Sequence, residues 1–220
     1  MNLVIIQHEK LFSRGLKYLI GQSVSLQIHE LANADAVESQ LVSLNPNIAL
    51  IDVDLPSCCP FKLAERISAM VPMCKIVFLG RTATNLLVSN VLQAKADGFL
   101  LKSDSQETIV EALHKVLAGE VFYTSSMMNM IVFDPHLRAY RMASDGQGPL
   151  LTNRQIEVLR YLAWGHSVKQ IAKIMHLSEK SVDSHKYRIM NRLGIHDRVK
   201  LALFAIREQL IDPWAAEEIS

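Results

Sequence analysis

LTNRQIEVLRYLAWGHSVKQIAKIMHLSEKSVDSHKYRIMNRLGI, residues 151–195, runs on into HDRVKLALFAIREQL, residues 196–210. Helix-start signals recur in this stretch. Thr152 is followed three residues on by Gln155, and Ser167 by Gln170. Each pair is a capping box, in which a hydroxyl and an amide satisfy free backbone N–H groups of a first turn. Ser178 is a plain N-cap ahead of a third apolar-periodic run. Gly165 and Gly194 stand where helices close in the left-handed conformation. Four helices separated by tight turns are predicted, the last from about Asp197.

The pair over 167–175 and 178–193 has the proportions of a helix-turn-helix. Ile171, Ala172 and Met175 give the shorter helix one apolar stripe. Val182, His185, Ile189 and Leu193 step by three, four and four residues, one face of a helix with His185 at its edge. The opposite face carries Lys180, Asp183, Ser184, Tyr187, Arg188 and Asn191. A donor-rich outer face suits the major groove, where base edges offer a readable code. Residues 152–207 hold eleven Lys and Arg against four acids, a net +7, whereas the whole chain is +1. Phosphate neutralisation supplies most non-specific DNA affinity, and a basic cluster on a small domain is its footprint.

The segment resembles the LuxR/FixJ-type DNA-binding domain. That family's pattern runs L-T-x-R-E-x-x-V-L, G-x-s-x-x-E-I-A, S-x-x-T-V-x-x-H and I-x-x-K-L-G. Here stand Leu151, Thr152, Arg154, Val158 and Leu159, then Gly165, Ile171 and Ala172, then Ser178, Val182, His185, Ile189, Leu193 and Gly194. Gln155 and Gln170 replace Glu, Ser181 replaces Thr and Arg192 replaces Lys. Asp183 stands where many members have Lys, which is expected to alter sequence preference. The resemblance implies double-stranded DNA as partner, contacted by Lys180, Asp183, Ser184, His185, Lys186, Tyr187 and Arg188. It also implies a homodimer paired through the final helix, with Leu201, Phe204 and Ala205 as the expected contact. Closure of the helical core is the other use of those three residues.

The rest of the chain is bounded by composition. At 220 residues, half of them apolar, one or two domains with packed cores are expected. No apolar run approaches the ~18 residues of a membrane span. Residues 3–6 are too short for a signal-peptide core. Three cysteines, two of them adjacent, do not form a disulfide framework. A reduced, cytoplasmic protein with no membrane contact is expected. Short apolar runs at 3–6, 26–29, 48–51, 75–79 and 98–101 alternate with helical patterns at 11–20, 34–44, 61–70, 84–93 and 106–117. That alternation predicts an α/β fold, a doubly wound five-stranded parallel sheet followed by the small all-α helix-turn-helix domain. Functional groups in such sheets gather at the carboxyl ends of the strands. The residues there are Gln7, His8, Glu9, Asp52, Gly80, Arg81 and Lys102.

This constellation resembles a response-regulator receiver domain. LFSRGLKYLI is similar to the family's first helix. IDVDLP places Asp52 at the phosphoacceptor position, and AKADGFLLK supplies Lys102 and, at the switch aromatic, Phe99. Together the resemblances imply a NarL-type two-domain response regulator. Its parts would be a receiver-like domain at 1–122, a linker at 123–149, a DNA-binding domain at 150–212 and a tail at 213–220. The family's two metal-holding acids are Gln7 and His8 here, its phosphate-binding Thr or Ser is Gly80, and Arg81 takes the place of a small residue. Mg²⁺ prefers oxygen ligands with carboxylate charge. The pocket is therefore read as degenerate, with no metal, no cofactor and no enzymatic activity. Asp52 is expected to remain unphosphorylated and paired with Lys102, with Arg81 also able to pair with it. The expected function is a DNA-binding transcriptional regulator whose receiver works without phosphorylation. Alternatives are switching through Asp52 by a sensor kinase, control by a small ligand such as cyclic di-GMP, and sequestration of a partner regulator. His8 with Asp52 and Glu9 is a minor metal-site alternative, and a redox role for Cys58 or Cys59 is a minor alternative to loop packing.

The connection predicts a short helix over 126–133, ended by Pro135, and a flexible stretch with Gly146, Gly148 and Pro149. Met127, Met128, Met130, Ile131 and Phe133 either cap the receiver or contact a second copy. Some relatives with degenerate receivers bind cyclic di-GMP through an aromatic–apolar–Thr/Ser–Arg motif at this junction. Phe122, Tyr123, Thr124 and Ser125 stand there, without the Arg.

Overall fold

The computed structural model describes residues 1–32, 34–56, 58–143 and 151–211. Six strands form one parallel sheet: β1 (Asn2–Ile6), β2 (Gln27–Leu31), β3 (Ile48–Asp52), β4 (Lys75–Gly80), β5 (Gly98–Leu101) and β6 (Phe122–Tyr123). The order is β2-β1-β3-β4-β5-β6. Successive side chains of a strand point to opposite faces, and both faces are covered. Leu3, Ile5, Leu50 and Leu79 pack under α1 (Lys10–Ser23) and α5 (Gln106–Leu117) through Leu16, Ile20, Ile109 and Leu113. Val4, Ile6, Ile51 and Phe78 pack under α2 (Ala34–Leu44), α3 (Pro60–Met70) and α4 (Asn85–Gln93) through Leu41, Phe61, Ile67 and Val88. Burial on both faces is why β1, β3, β4 and β5 read as apolar runs, whereas the edge strand β2 carries exposed Gln27 and Glu30. From β1 the chain crosses to β2 on one side and to β3 on the other. That reversal opens a crevice at the carboxyl ends of β1 and β3, which sets residues 7–9 beside Asp52.

The connection differs from its sequence reading. β6 adds a sixth strand of two residues, and the expected helix is confined to α6 (Ser125–Met128). An antiparallel hairpin of β7 (Ile131–Asp134) and β8 (Ala139–Met142) follows. Asp134 accepts the N–H groups of His136 and Leu137 at 2.9 and 3.2 Å and pairs with Arg141 at 3.1 Å. Asp134-Pro135 thus starts a turn, a role open to Asx-Pro pairs, where Pro135 had been read as a helix terminator. Tyr140 meets Phe133 and Tyr123 edge-on. Met127 and Ile131 are buried, whereas Met128 and Phe133 stay exposed. Residues 144–150 and 212–220, with Gly146, Gly148, Pro149 and the tail, lie outside the described residues.

The second unit holds α7 (Asn153–Ala163), α8 (Val168–Ile174), α9 (Glu179–Leu193) and α10 (Arg198–Arg207). Both capping boxes form: the Thr152 and Ser167 backbone N–H groups donate to Gln155 and Gln170 at 2.9 and 2.8 Å, and each hydroxyl accepts in return at 3.3 Å. Ser178 accepts from the Ser181 N–H at 3.1 Å, and Asp197 caps α10 through the Lys200 N–H at 2.9 Å. Gly165 and Gly194 have φ of +96° and +65°, the left-handed values that end a helix cheaply only at glycine.

Leu201, Phe204 and Ala205 are 1 %, 9 % and 0 % exposed. They close the unit's own core with Leu159, Ile171, Val182 and Ile189, so the reading of them as a dimer contact is corrected. The outer face of α10 carries Val199, Leu203 and Ile206, which are exposed.

The helical unit docks on the receiver-like one. Lys62 of α3 pairs with Glu157 of α7 at 3.2 Å, and Asn153 donates to Glu65 at 2.6 Å. Arg160, fully buried, donates to the Leu55 carbonyl and lies 5.2 Å over the Trp164 ring. Beyond α10, Gln209 accepts the backbone N–H groups of Arg81 and Thr82 at 2.8 and 3.1 Å and returns its amide to the Thr82 carbonyl at 3.1 Å.

Candidate nucleic-acid interface and receiver pocket

On α9, Lys180, Asp183, Ser184, Tyr187 and Arg188 are all exposed, Tyr187 by 68 %. Helical spacing puts 180, 183, 184 and 187 on one strip with Arg188 beside it. The helix is anchored from below by Val182 and Ile189, which are fully buried. Lys186 sits apart from the strip, half-buried in a groove with His166, Ser167 and Val168 at the start of α8. His185 is half-buried with its Nδ1 sealed from solvent, and burial, followed by the charges of Arg154 and Arg188, lowers its pKa. It stands at the edge of the core-facing side, off the outer strip.

Not all of the +7 charge faces outward. Arg154 binds Glu157 at 2.8 Å and the Met175 carbonyl at 2.9 Å. Arg160 is buried against the receiver-like unit, and Arg198 ties the end of α7 through the Leu162 and His166 carbonyls at 3.4 and 2.9 Å. The exposed cations are Lys169, Lys173, Lys180, Arg188, Arg192 and Lys200 among others. These face solvent, whereas Arg154, Arg160 and Arg198 are tied into the fold by their hydrogen bonds.

At the sheet's carboxyl end, Asp52 is 1 % exposed and its Oδ2 lies 2.8 Å from Lys102 Nζ. Lys102 also reaches Asp54 at 3.2 Å and Glu9 at 3.7 Å. Burial works to lower the Lys102 pKa, but Asp52, Asp54 and Glu9 outweigh it and hold the ammonium above its ordinary value. Arg81 pairs with Asp54 at 3.1 Å and Glu9 at 3.6 Å. The expected partner of Arg81 was Asp52; the observed pairing shifts to Asp54 because Lys102 already covers Asp52. Burial, then the neighbouring Asp52 charge, pushes the Asp54 carboxyl up against the pull of Lys102 and Arg81.

Gln7 is buried and turns inward to accept the Glu9 N–H at 3.1 Å. His8 is half-buried with its Nδ1 sealed. Gly80 faces Phe99: a Cβ there would stand 3.1 Å from the Phe99 ring and 3.3 Å from Leu87. Phe99 is itself fully buried, so the ring fills the space that a hydroxyl-bearing residue would need. The donor set does not fit a hard divalent ion. Each of its three carboxylates has an oxygen engaged by Lys102 or Arg81, Asp52 Oδ1 accepts the Asp54 N–H at 3.0 Å, and the Gln7 oxygen is spent on the backbone. Cys59 is buried, which raises its thiol pKa, and Cys58 beside it is half-buried. Tyr123 donates its hydroxyl to the Ala96 carbonyl at 2.8 Å, and Thr124 is buried with its hydroxyl on Ser126. The aromatic–Thr–Ser junction is thus committed to packing.

Three residues of the pocket and of its contacts with the helical unit escaped the sequence reading. Asp54 was visible as the second acid of IDVDLP. Arg160 was visible as a charge inside an apolar run. Gln209 carried no local signal, since its partners lie more than a hundred residues away.

Residues 149–205 match the family described as bacterial regulatory proteins, luxR family, and residues 3–114 match the response regulator receiver domain. The chain belongs to the LuxR-family response regulators. It is therefore a member of a family of DNA-binding transcription regulators, in the two-domain arrangement. Fimbriae Z protein of Salmonella typhimurium is 27 % identical over 212 residues, 96 % of this chain and 98 % of its own length. The uncharacterized transcriptional regulatory protein YxjL of Bacillus subtilis is 24 % identical over 212 residues, 96 % of this chain and 97 % of its own. RcsB from Salmonella enterica serovar Typhimurium, solved on promoter rprA with the phosphomimetic BeF3−, superposes with a TM-score of 0.72. It is 22 % identical and covers 93 % of this chain and 98 % of its own, a likeness of fold. Among the described residues no helix is long and apolar enough to cross a membrane.

Proposed function

We propose that this regulator binds DNA sequence-specifically as a cytoplasmic homodimer, and that its receiver acts without phosphorylation of Asp52 and without turnover of any substrate. The observation that carries the second half is the pocket: Lys102 and Arg81 already pair with Asp52, Asp54 and Glu9 and offset two of their three charges. Phosphoryl transfer needs a cation to offset developing charge and a free acceptor oxygen. Here the cations present are already committed to Asp52, Asp54 and Glu9, and Asp52 Oδ2 is held by Lys102 at 2.8 Å. Lys180, Lys186 and Arg188 are assigned to phosphates, and Asp183, Ser184 and Tyr187 to base edges. The test is binding of the full chain to promoter fragments across a salt series. Affinity should fall steeply with salt and differ between sites. Salt-dependent binding with no difference between sites would sink sequence specificity, and absence of binding would leave only the sequestration of a partner regulator.

A second reading has one observation in its favour. Asp52 and Lys102 remain 2.8 Å apart at the sheet's carboxyl end, as an acceptor and its lysine would, and RcsB has been solved with a phosphomimetic. In that reading a sensor kinase switches the protein through Asp52.

A further inference from the structure

The receiver pocket contains its own cation, and the same residue is held by the DNA-binding unit. Glu9, Asp52 and Asp54 converge on one point and are answered by two side chains. Lys102 covers Asp52 and shares Asp54, while the Arg81 guanidinium bridges Asp54 at 3.1 Å and Glu9 at 3.6 Å. A divalent ion would need those carboxylates, because carboxylate charge is what offsets its dehydration. The Arg81 backbone N–H meanwhile donates to Gln209 Oε1 at 2.8 Å. Gln209 is set for this by a left-handed backbone, φ +55°, just past the end of α10. On the other side of the pocket, Arg160 of α7 holds the Leu55 carbonyl in the loop that follows Asp52 and Asp54. The two loops flanking the acceptor, after β3 and after β4, are therefore both gripped by the helical unit.

We propose that Arg81 is the receiver's resident cation: its guanidinium takes the electrostatic place of a divalent metal between Glu9 and Asp54, and its backbone, clasped by Gln209, ties the filled pocket to the docked DNA-binding unit. This deepens the phosphorylation-independent reading and rests on the wild-type pocket taking no metal. Neutralising a carboxylate with a guanidinium excludes a second cation by direct competition, so removing the guanidinium should create the site that the wild type lacks.

Full-length protein is titrated with Mn²⁺, and bound metal is read from the loss of the free-ion paramagnetic signal. Arg81→Ala should bind Mn²⁺ at least about tenfold more tightly than wild type, as expected for deleting a unit charge a few ångströms away. Arg81→Lys should exclude it as wild type does. Arg81→Gln keeps the bulk without the charge, and it carries the same expectation as Arg81→Ala should that variant fail to fold. Docking is read separately from Trp164, which lies in the interdomain cleft with Pro56, Cys58 and Cys59, in a Trp214→Phe background. Gln209→Ala should shift Trp164 emission to the red and leave Mn²⁺ exclusion intact. Mn²⁺ bound by both wild type and Arg81→Ala would overturn both this inference and the reading beneath it. Mn²⁺ bound neither by wild type nor by the folded neutral Arg81 variants would overturn the inference alone. Unchanged Trp164 emission in Gln209→Ala would overturn the tie to docking.

Discussion

Lys102→Met keeps the reach of the side chain and removes the charge that answers two buried carboxylates. The Asp52 side chain is 0 % exposed and that of Asp54 3 %. At 2.8 and 3.2 Å, each ion pair corresponds to about 5–6 kcal/mol at an effective dielectric near 20. The measured loss cannot reach that sum, because a stranded carboxylate takes up a proton instead. Protonating a carboxyl of ordinary pKa 3.8 at pH 7 costs about 4 kcal/mol, at ~1.4 kcal/mol per pH unit. The variant should therefore lose about 3–4 kcal/mol at pH 7. In the variant, a carboxyl has a folded-state pKa above its unfolded value. The penalty is then absent below the unfolded pKa and grows as pH rises toward the folded one. At pH 5 the loss should shrink to about 1.5 kcal/mol. Urea unfolding of the full chain at the two pH values measures both, and adding Asp52→Asn should recover much of the loss at pH 7. A loss below about 1 kcal/mol at pH 7, or an equal loss at both pH values, would refute the claim that Lys102 compensates a buried acidic pair.

Other expectations concern the helical unit. Lys186→Ala should weaken binding to all DNA sequences alike and lower the salt slope by about 1, whereas Tyr187→Ala should change preference within a panel of sites; the reverse pattern, read by fluorescence anisotropy, would reverse the assignment. Leu203→Glu should abolish paired binding to two half-sites with little change in melting temperature, while Leu201→Ala should cost about 2–5 kcal/mol of stability; ultracentrifugation and thermal melts separate the two. His185 has a lowered pKa, so the folded state binds fewer protons than the unfolded one. Its stabilisation is complete above the ordinary value of 6.5 and is lost as pH falls through the folded value. Melts of His185→Gln should be flatter than wild type across that window, and an identical pH profile would remove His185 from the account.

The helical unit was legible because its signals are local. Thr152, Ser167, Ser178 and Asp197 each cap a helix from within three residues, and a capping residue needs no tertiary context. The sheet was legible because strands buried on both faces cannot avoid being apolar. The hairpin was not, since Asp134-Pro135 is equally good at ending a helix and at starting a turn, and the residues that decide it, Tyr140 and Arg141, lie on the far strand. The faces of α10 were not separable either. Leu201, Phe204 and Ala205 form one apolar stripe, and Val199, Leu203 and Ile206 form another; periodicity does not say which one the chain covers itself. In the pocket, the substitutions Gln7, His8, Gly80 and Arg81 announced what is missing. What replaces it was set by distance relations: Arg81 choosing Asp54, Phe99 filling the space over Gly80, and Gln209 arriving from the other end of the chain.

We propose that this receiver does its work without phosphorylation of Asp52, and one experiment tests this directly. Full-length protein is incubated with acetyl phosphate and Mg²⁺, its phosphorylation state is read by intact-mass spectrometry, and its promoter affinity is measured on the same sample beside Asp52→Ala. If Asp52 stays unphosphorylated, treatment of wild type adds no phosphoryl group and leaves its affinity unchanged. A phosphoryl adduct on Asp52, with an affinity change that Asp52→Ala abolishes, would contradict it.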